Sequence, residues 1–269
     1  MQRLSHRYAG RSGAAAGTVG HTFRVRPFLF LQTRPEEPAA AEEYAAFCRF
    51  TGLAPEQLVR HRLDHTALGE VALSDWTGFI VGGGPFNVSD PAQEKSQVQD
   101  RVESELRDLA LACVESDHPF LGACYGVGTL GSLFGGLVSR AYGETAGAIS
   151  VSLTRDGRQD PLFDGVSENF EAFVGHKEAV EVLPSGAVLL ARGTQCPVQA
   201  FRIGTRVYAT QFHPELDIDG LASRMNVYRH HGYFDEAETE ELIIQARRSS
   251  VTETGKLLAN FVSLAQRRR

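Results

Sequence analysis

The chain has 269 residues, 42% of them hydrophobic, and a formal net charge of -6, enough for one large α/β domain or two small ones, of which one is expected. The acidic balance argues against nucleic acid as a main partner, because phosphate binding needs a concentrated basic surface, and no apolar run approaches the roughly 20 residues that span a bilayer, so a soluble protein with no membrane partner is expected. Cys48, Cys113, Cys124 and Cys196 are widely scattered, with no C-x-x-C pair or metal-ligand spacing, so neither a disulfide framework nor a metal site is expected and reduced thiols in a cytoplasm-like compartment are the simplest account.

Met1 to Thr22 is rich in Arg, Ser, Gly and Ala and has no acidic residue. An organelle transit peptide would share that bias, so organelle import stays open. A start codon placed too far upstream would also explain it, and a disordered extension over 1–24 is the reading favoured. The stretch lacks the apolar core of a secretory signal. Structure is expected to begin at Arg26 to Thr33, where Phe28-Leu29-Phe30-Leu31 reads as a buried strand. Pro38 to Phe50 follows as a helix, with Tyr44, Phe47 and Phe50 at helical spacing for burial. Val59 to His65 reads as a second strand, whose His61 and His65 are too isolated to count as ligands.

Trp76 to Val81 is a third short apolar run and ends in Gly82-Gly83-Gly84-Pro85. Glycines at a strand end let backbone N–H groups face an anion without side-chain obstruction, although an ordinary flexible turn would look the same. Gln93 to Glu115 carries Val98, Val102, Leu106, Leu109 and Cys113 at steps of three and four, an amphipathic helix suited to covering a sheet. It leads to a short apolar run and Gly122-Ala123-Cys124-Tyr125-Gly126, the grammar of a strand, a sharp turn and a helix. A nucleophile on such a turn has strained backbone angles and needs neighbours without side chains, and a thiol at a helix start feels the positive end of the helix dipole. The pentapeptide alone leaves Cys124 open between a nucleophile and one more buried small residue.

The β, α, β, α alternation predicts an α/β fold: an open, mostly parallel sheet flanked by helices on both faces. Ligands in such sheets bind beyond the carboxyl ends of the strands, where Gly84 and Cys124 would both lie. From Leu137 to Phe212 the pattern changes to short alternating runs (Ala148 to Leu153, Ala172 to Val174, Ala187 to Ala191, Val198 to Arg202, Val207 to Phe212) broken by turn signals at Asp156-Gly157 and Pro184-Ser185-Gly186. An antiparallel β excursion that returns to the main sheet fits this better than further βα units. Leu216 to Tyr228 and Glu236 to Gln266 read as helical, with a break near His230 to Phe234 and a possible second one at Gly255. His230 and His231 point about 100° apart on a helix and do not easily share an ion, so an exposed helix end is the better account. Arg267-Arg268-Arg269 reads as a solvated tail.

A cysteine nucleophile needs a base, and the base an orienting partner. His213, at the end of the last expected strand and 89 positions after Cys124, with Glu215 two residues on, offers both. The set Cys124, His213 and Glu215 makes a much stronger catalytic reading than either motif alone.

On Gly82-Gly83-Gly84-Pro85, Gly122-Ala123-Cys124-Tyr125-Gly126 and the block Cys196 to Arg202 leading into Gln211-Phe212-His213-Pro214-Glu215, the chain resembles the class I glutamine amidotransferases, in particular stand-alone members similar to the amidotransferase domain of GMP synthetase. The resemblance covers Phe28 to Tyr228. It implies a flavodoxin-like domain over 25–235, followed by a C-terminal helical extension over 236–269 packed on or trailing it. By the resemblance, Cys124 would attack the side-chain amide of glutamine to form a γ-glutamyl thioester, His213 would move the proton to the departing ammonia, and Glu215 would orient the imidazole. The N–H groups of Gly84 and Tyr125 would form the oxyanion hole. Gly83, Gly126, Gly128 and His176 are candidate substrate-binding positions, with a structural role for His176 equally open.

Two departures from the family pattern stand out. Where many members continue the motif as C-x-G-H-Q, this chain has Cys124-Tyr125-Gly126-Val127-Gly128, which removes a polar side chain that helps hold glutamine in relatives and leaves space there. A γ-glutamyl peptidase or related amide hydrolase is therefore a second reading, and a binding or regulatory homologue that no longer turns over is a third. There is also no phosphate-binding G-x-x-x-x-G-K-[ST] loop and no appended synthetase domain, so no cofactor is expected. Productive use of ammonia would need a separate synthetase partner.

Overall fold

The computed structural model describes residues 26–229, 237 and 239–267. The expectations placed on 1–24, on His230 and His231, and on Arg268 and Arg269 lie outside these residues. Strands β1 (Phe28–Gln32), β2 (Leu58–Arg62), β3 (Gly78–Val81), β4 (Phe120–Ala123) and β11 (Val207–Thr210) run parallel in the order β2-β1-β3-β4-β11. The sheet continues through β10 (Ala200–Ile203), β9 (Ala187–Gly193), β6 (Glu144–Leu153) and β7 (Asn169–His176), all paired antiparallel. This is the mixed sheet that the change of pattern after Leu137 predicts. A separate two-stranded ribbon pairs β5 (Leu137–Ser139) with β8 (Ala179–Val182), an element too short and too poorly patterned to stand out in the sequence.

The strands' alternation divides the core. Phe28 and Phe30 of β1 face α1 (Glu37–Thr51) and α7 (Gly255–Gln266), meeting Phe47, Leu257 and Phe261. Leu29 and Leu31 face the other way, toward Val102, Leu106 and Leu109 of α2 (Gln97–Ser116) and Val127 and Leu130 of α3 (Tyr125–Gly131). Period-two placement of apolar groups on a doubly covered strand produces this two-sided core. Of the three aromatics of α1, Phe47 is fully buried while Tyr44 and Phe50 pack at its margin.

Three boundaries differ from expectation for local reasons. Helix α2 starts at Gln97 rather than Gln93 because the Ser96 hydroxyl accepts from the Gln99 N–H at 3.1 Å and caps it; Val98, in that first turn, is exposed. The Asp156-Gly157 turn is instead the short helix α4 (Arg155–Gln159), capped by the Thr154 hydroxyl accepting from Gly157 N–H at 3.0 Å. The C-terminal helical stretch divides into α6 (Thr239–Ala246) and α7, which starts at Gly255. Helix α5 (Ile218–Val227) lies between β11 and these, with the Asp217 carboxylate as its cap. No helix among the described residues is long and apolar enough to cross a membrane.

Candidate active site

The carboxyl ends of β1, β3, β4 and β11 converge on one edge. Cys124 leaves β4 with φ 53° and ψ -93°, a conformation that L-residues rarely adopt. Its N–H donates to the Thr210 carbonyl of β11 at 2.8 Å, and its carbonyl accepts from Val127 N–H at 3.0 Å. The flanking glycines allow the sharp turn: a Cβ on Gly122 would lie 2.7 Å from the Gly126 carbonyl carbon and oxygen. The sulfur therefore stands at the start of α3, partly exposed.

His213 follows β11, where its N–H donates to the Phe173 carbonyl of β7 at 2.9 Å. The antiparallel excursion thus curls back over the strand ends and pins the histidine backbone. Nδ1 donates to Glu215 Oε1 at 2.8 Å, and both side chains are buried. That bond leaves Nε2 for the Cys124 thiol. Burial works against a charged imidazole, but the Cys124 sulfur and the Glu215 carboxylate both favour it, and His213 is pushed up from the ordinary 6.5 to about 9. Glu215, despite a burial that opposes ionisation, is held well below the usual carboxylate range by His213 and Arg224.

Around this pair lies an ionic web that the sequence motifs do not announce. Arg224 of α5 donates through Nη1 to Glu215 Oε1 at 2.9 Å and through Nη2 to Glu42 Oε2 at 3.3 Å. Arg34, just beyond β1, donates through Nε to Glu43 Oε1 at 2.9 Å and through Nη1 to the Tyr228 hydroxyl at 3.0 Å. Glu43 also accepts from Gln32 and, at 3.1 Å, from the Gly83 N–H, so a helix α1 carboxylate fixes the glycine loop. In sequence Glu42 and Glu43 look like an ordinary polar helix face. Only a complete burial of Glu43 distinguishes it.

Gly84 lies beside Tyr125, since a Cβ built on it would come 3.7 Å from Tyr125 Cδ1. Tyr125 is the first residue of α3, so its N–H has no carbonyl partner within the helix. A Cβ at Gly84 would overlap Thr33 Oγ1, which leaves glycine as the residue that fits. Cys124 and Gly84 line two cavities. The larger, about 50 Å³, lies on the His213 side and is walled by Ala146, Val174, Leu216, Leu221 and Met225. The smaller, about 20 Å³, is lined by Tyr125 with Asn87, His176, Lys177, Glu178 and Gln211.

The candidate substrate positions divide between these walls and the surrounding packing. His176 lines the smaller cavity but is fully engaged, Nδ1 with the Glu178 carbonyl and Nε2 with Glu144 Oε2, both at 2.9 Å. Gly83 abuts Arg34 and His213, and Gly126 abuts Val81. The space expected beside Gly128 is filled: a Cβ there would meet Glu178 Oε1 and Val88 Cγ2, each at 2.9 Å. Glu178 occupies that place because it accepts from the N–H groups of Val88 and Ser89 at 2.9 and 2.7 Å. Burial raises its pKa, the two N–H donors offsetting part of that.

A second Cys, His and Glu set, Cys196, His176 and Glu144, places its ligand-type atoms within 4.8 Å of one another. Its hydrogen bonds close among its own neighbours: Gln199 Nε2 donates to Glu144 Oε2 at 2.7 Å, and the Cys196 thiol to the Val198 carbonyl at 3.4 Å. Burial pushes that thiol up to about 12, so it stays protonated and cannot act as a thiolate at neutral pH. Cys196 borders neither cavity, so its thiol stands apart from that of Cys124, and His176 is the member of the set that reaches the smaller cavity.

Comparison with known proteins gives a consistent picture. Residues 54–225 match the family model described as glutamine amidotransferase class-I. A GMP synthase [glutamine-hydrolyzing] of Thermosipho melanesiensis is 34% identical over 157 residues, covering 58% of this chain and 27% of that protein. One from Thermomicrobium roseum is 29% identical over 167 residues, covering 62% and 28%. The chain thus spans about a quarter of the length of the curated relatives it matches. Among solved structures, a glutamine amidotransferase of Thermotoga maritima superposes with TM-score 0.72 at 17% identity, covering 90% of this chain and 99% of that one. A glutamine amidotransferase of Methylobacillus flagellatus gives 0.64 at 19% identity, covering 90% and 94%. At those identities the likeness is one of fold.

Proposed function

Because this chain belongs to the glutamine amidotransferase class-I family, we propose that it hydrolyses the side-chain amide of glutamine, or a related γ-glutamyl amide, through a thioester on Cys124. The single observation that carries the reading is the position of the His213 imidazole, bonded to Glu215 through Nδ1 and lining one cavity together with Cys124, whose sulfur favours its charged form. In this reading the raised pKa of His213 favours a thiolate–imidazolium pair. The thiolate attacks the amide carbon while the N–H groups of Gly84 and Tyr125 receive the developing oxyanion. The C–N bond then breaks as imidazolium gives its proton to the leaving nitrogen. Water next attacks the thioester, His213 takes the water's proton, the C–S bond breaks, and glutamate leaves. Glu215 keeps Nδ1 protonated and supports the charge on the ring.

The relatives named GMP synthase [glutamine-hydrolyzing] support a further step, in which a partner synthetase consumes the ammonia. The four free cysteines suit a reducing, cytoplasm-like compartment. Glutamate release from glutamine by the full chain, with and without candidate synthetases, tests the activity. Cys124→Ala is expected to abolish release and to abolish labelling by a glutamine-like diazoketone. Undiminished release in that variant would overturn the assignment.

A further inference from the structure

The two cavities that meet at Cys124 differ in chemistry and in their relation to His213. We infer that the larger one is a leaving-group pocket, and that the substrates of this site include γ-glutamyl amides of small apolar amines. The inference rests on the hydrolase reading above and adds the nature of the group on the amide nitrogen.

The acyl half and the amine half of the substrate must lie on opposite sides of the attacked carbon. The amine half must lie within reach of the imidazole, because that ring protonates the departing nitrogen. His213 lines the larger cavity and not the smaller, which assigns the larger one to the amine. The smaller cavity carries Asn87, Lys177, Glu178 and the Gln211 amide, whose Oε1 is buried and has no hydrogen-bond partner among the described residues. An unpaired buried acceptor in a polar cleft suits the α-ammonium of a glutamyl group. The acyl half therefore has a polar seat of its own.

Ammonia as a leaving group needs no room beyond the imidazole. The larger cavity nonetheless offers about 50 Å³ behind Ala146, Val174, Leu216, Leu221 and Met225, several times the roughly 10–15 Å³ that one water occupies on the same measure. Of the charged side chains that line it, Arg34 is held by Glu43 and Tyr228 and Arg224 by Glu215 and Glu42, with Arg224 Nε buried and without a hydrogen-bond partner among the described residues. An ethyl or isobutyl substituent on the amide nitrogen would meet carbon on most sides, and hydrophobic burial would favour it over solvent. The reaction stays balanced: γ-glutamyl amide and water give glutamate and the free primary amine.

The test compares kcat/KM of the full chain for glutamine, γ-glutamyl-ethylamide, γ-glutamyl-isobutylamide and γ-glutamyl-glycine, read by glutamate release, which is common to all four. The isobutylamide is expected to exceed glutamine by about tenfold or more, the scale on which a hydrophobic pocket discriminates a few carbons, and the anionic glycine leaving group to fall below the isobutylamide. Ala146→Leu and Leu221→Phe, two separate ways of filling the pocket, are expected to lower the ratio of isobutylamide to glutamine by at least about tenfold. Turnover of glutamine with no gain for either alkylamide overturns the inference while the hydrolase reading stands, and it would assign the pocket to ammonia passage. No turnover of any substrate together with an unlabelled Cys124 overturns the hydrolase reading, and this inference with it. Labelling of Cys124 without turnover of any γ-glutamyl amide overturns this inference as well.

Discussion

One oxygen of Glu215 holds both His213 and Arg224: Oε1 accepts from the imidazole Nδ1 at 2.8 Å and from the guanidinium Nη1 at 2.9 Å. The two donors lie 3.2 Å apart and both point at the carboxylate. Arg224 thereby joins the imidazole to Glu42 on α1, although it belongs to neither of the sequence motifs at the site.

Replacing Arg224 by Met keeps the volume and removes the charge. Glu215 and Glu42 are then left with less compensation in a buried site, and breaking one partner of such a pair costs about 3–5 kcal/mol. Urea unfolding at neutral pH is expected to show a loss of that size. A change under about 1 kcal/mol, the scale of a surface ion pair, would show that the guanidinium is not structural.

The pH dependence follows from His213. Its folded pKa, about 9, lies above the ordinary 6.5. Its stabilising contribution is therefore complete below about 6.5 and is lost as pH rises through about 9. Activity is expected to fall on the alkaline side near the same pH, because the imidazolium is needed to protonate the leaving nitrogen. Glu215→Gln removes a charge that favours the imidazolium, so the alkaline limb of kcat/KM is expected to move to lower pH, with a drop in kcat approaching about 10⁴-fold as Nδ1 loses its carboxylate. An unmoved limb would separate His213 from the titration.

Gly122→Ala tests the turn beneath the thiol. The new Cβ would sit 2.7 Å from Gly126 backbone atoms, which cannot yield as a flexible side chain would. Overpacking of this kind costs about 1–3 kcal/mol. The variant is expected to unfold at lower urea and to react more slowly with the diazoketone; unchanged labelling and stability would show that the turn tolerates a side chain.

Glu144→Ala tests the internal closure of the second Cys, His and Glu set. Gln199 Nε2 and His176 Nε2 lose their shared acceptor, at about 1–3 kcal/mol for each buried group left unpaired. A loss of stability in that range is expected from urea unfolding, whereas a metal chelator applied to the unmodified chain is expected to leave its melting temperature unchanged. A chelator-sensitive melting temperature would show that an ion, not hydrogen bonds, holds the set together.

Much of the fold is readable from neighbours in sequence. The run Phe28-Leu29-Phe30-Leu31 announces a strand covered on both faces, and the steps from Val102 to Cys113 announce the helix that covers one of them. Gly122-Ala123-Cys124-Tyr125-Gly126 announces a turn because the steric demand falls on adjacent residues. His213 and Glu215 are equally local, two positions apart. Shifted boundaries arose where a single cap, at Ser96 or Thr154, outweighed periodicity.

The amino-acid order by itself therefore determined the covered strands, the position of the cysteine turn and the types of group available to it, since backbone sterics and apolar periodicity act over a few residues. Tertiary structure alone decided which groups meet. It brought Arg34, Glu43 and Arg224 into one buried web, seated Glu178 beside Gly128, and separated Cys196 from Cys124. It also placed an apolar cavity on the His213 side of the thiol. The physical reason is that ion pairing, burial and cavity shape depend on distances across the sheet edge, between residues whose sequence separation carries no record of their contact.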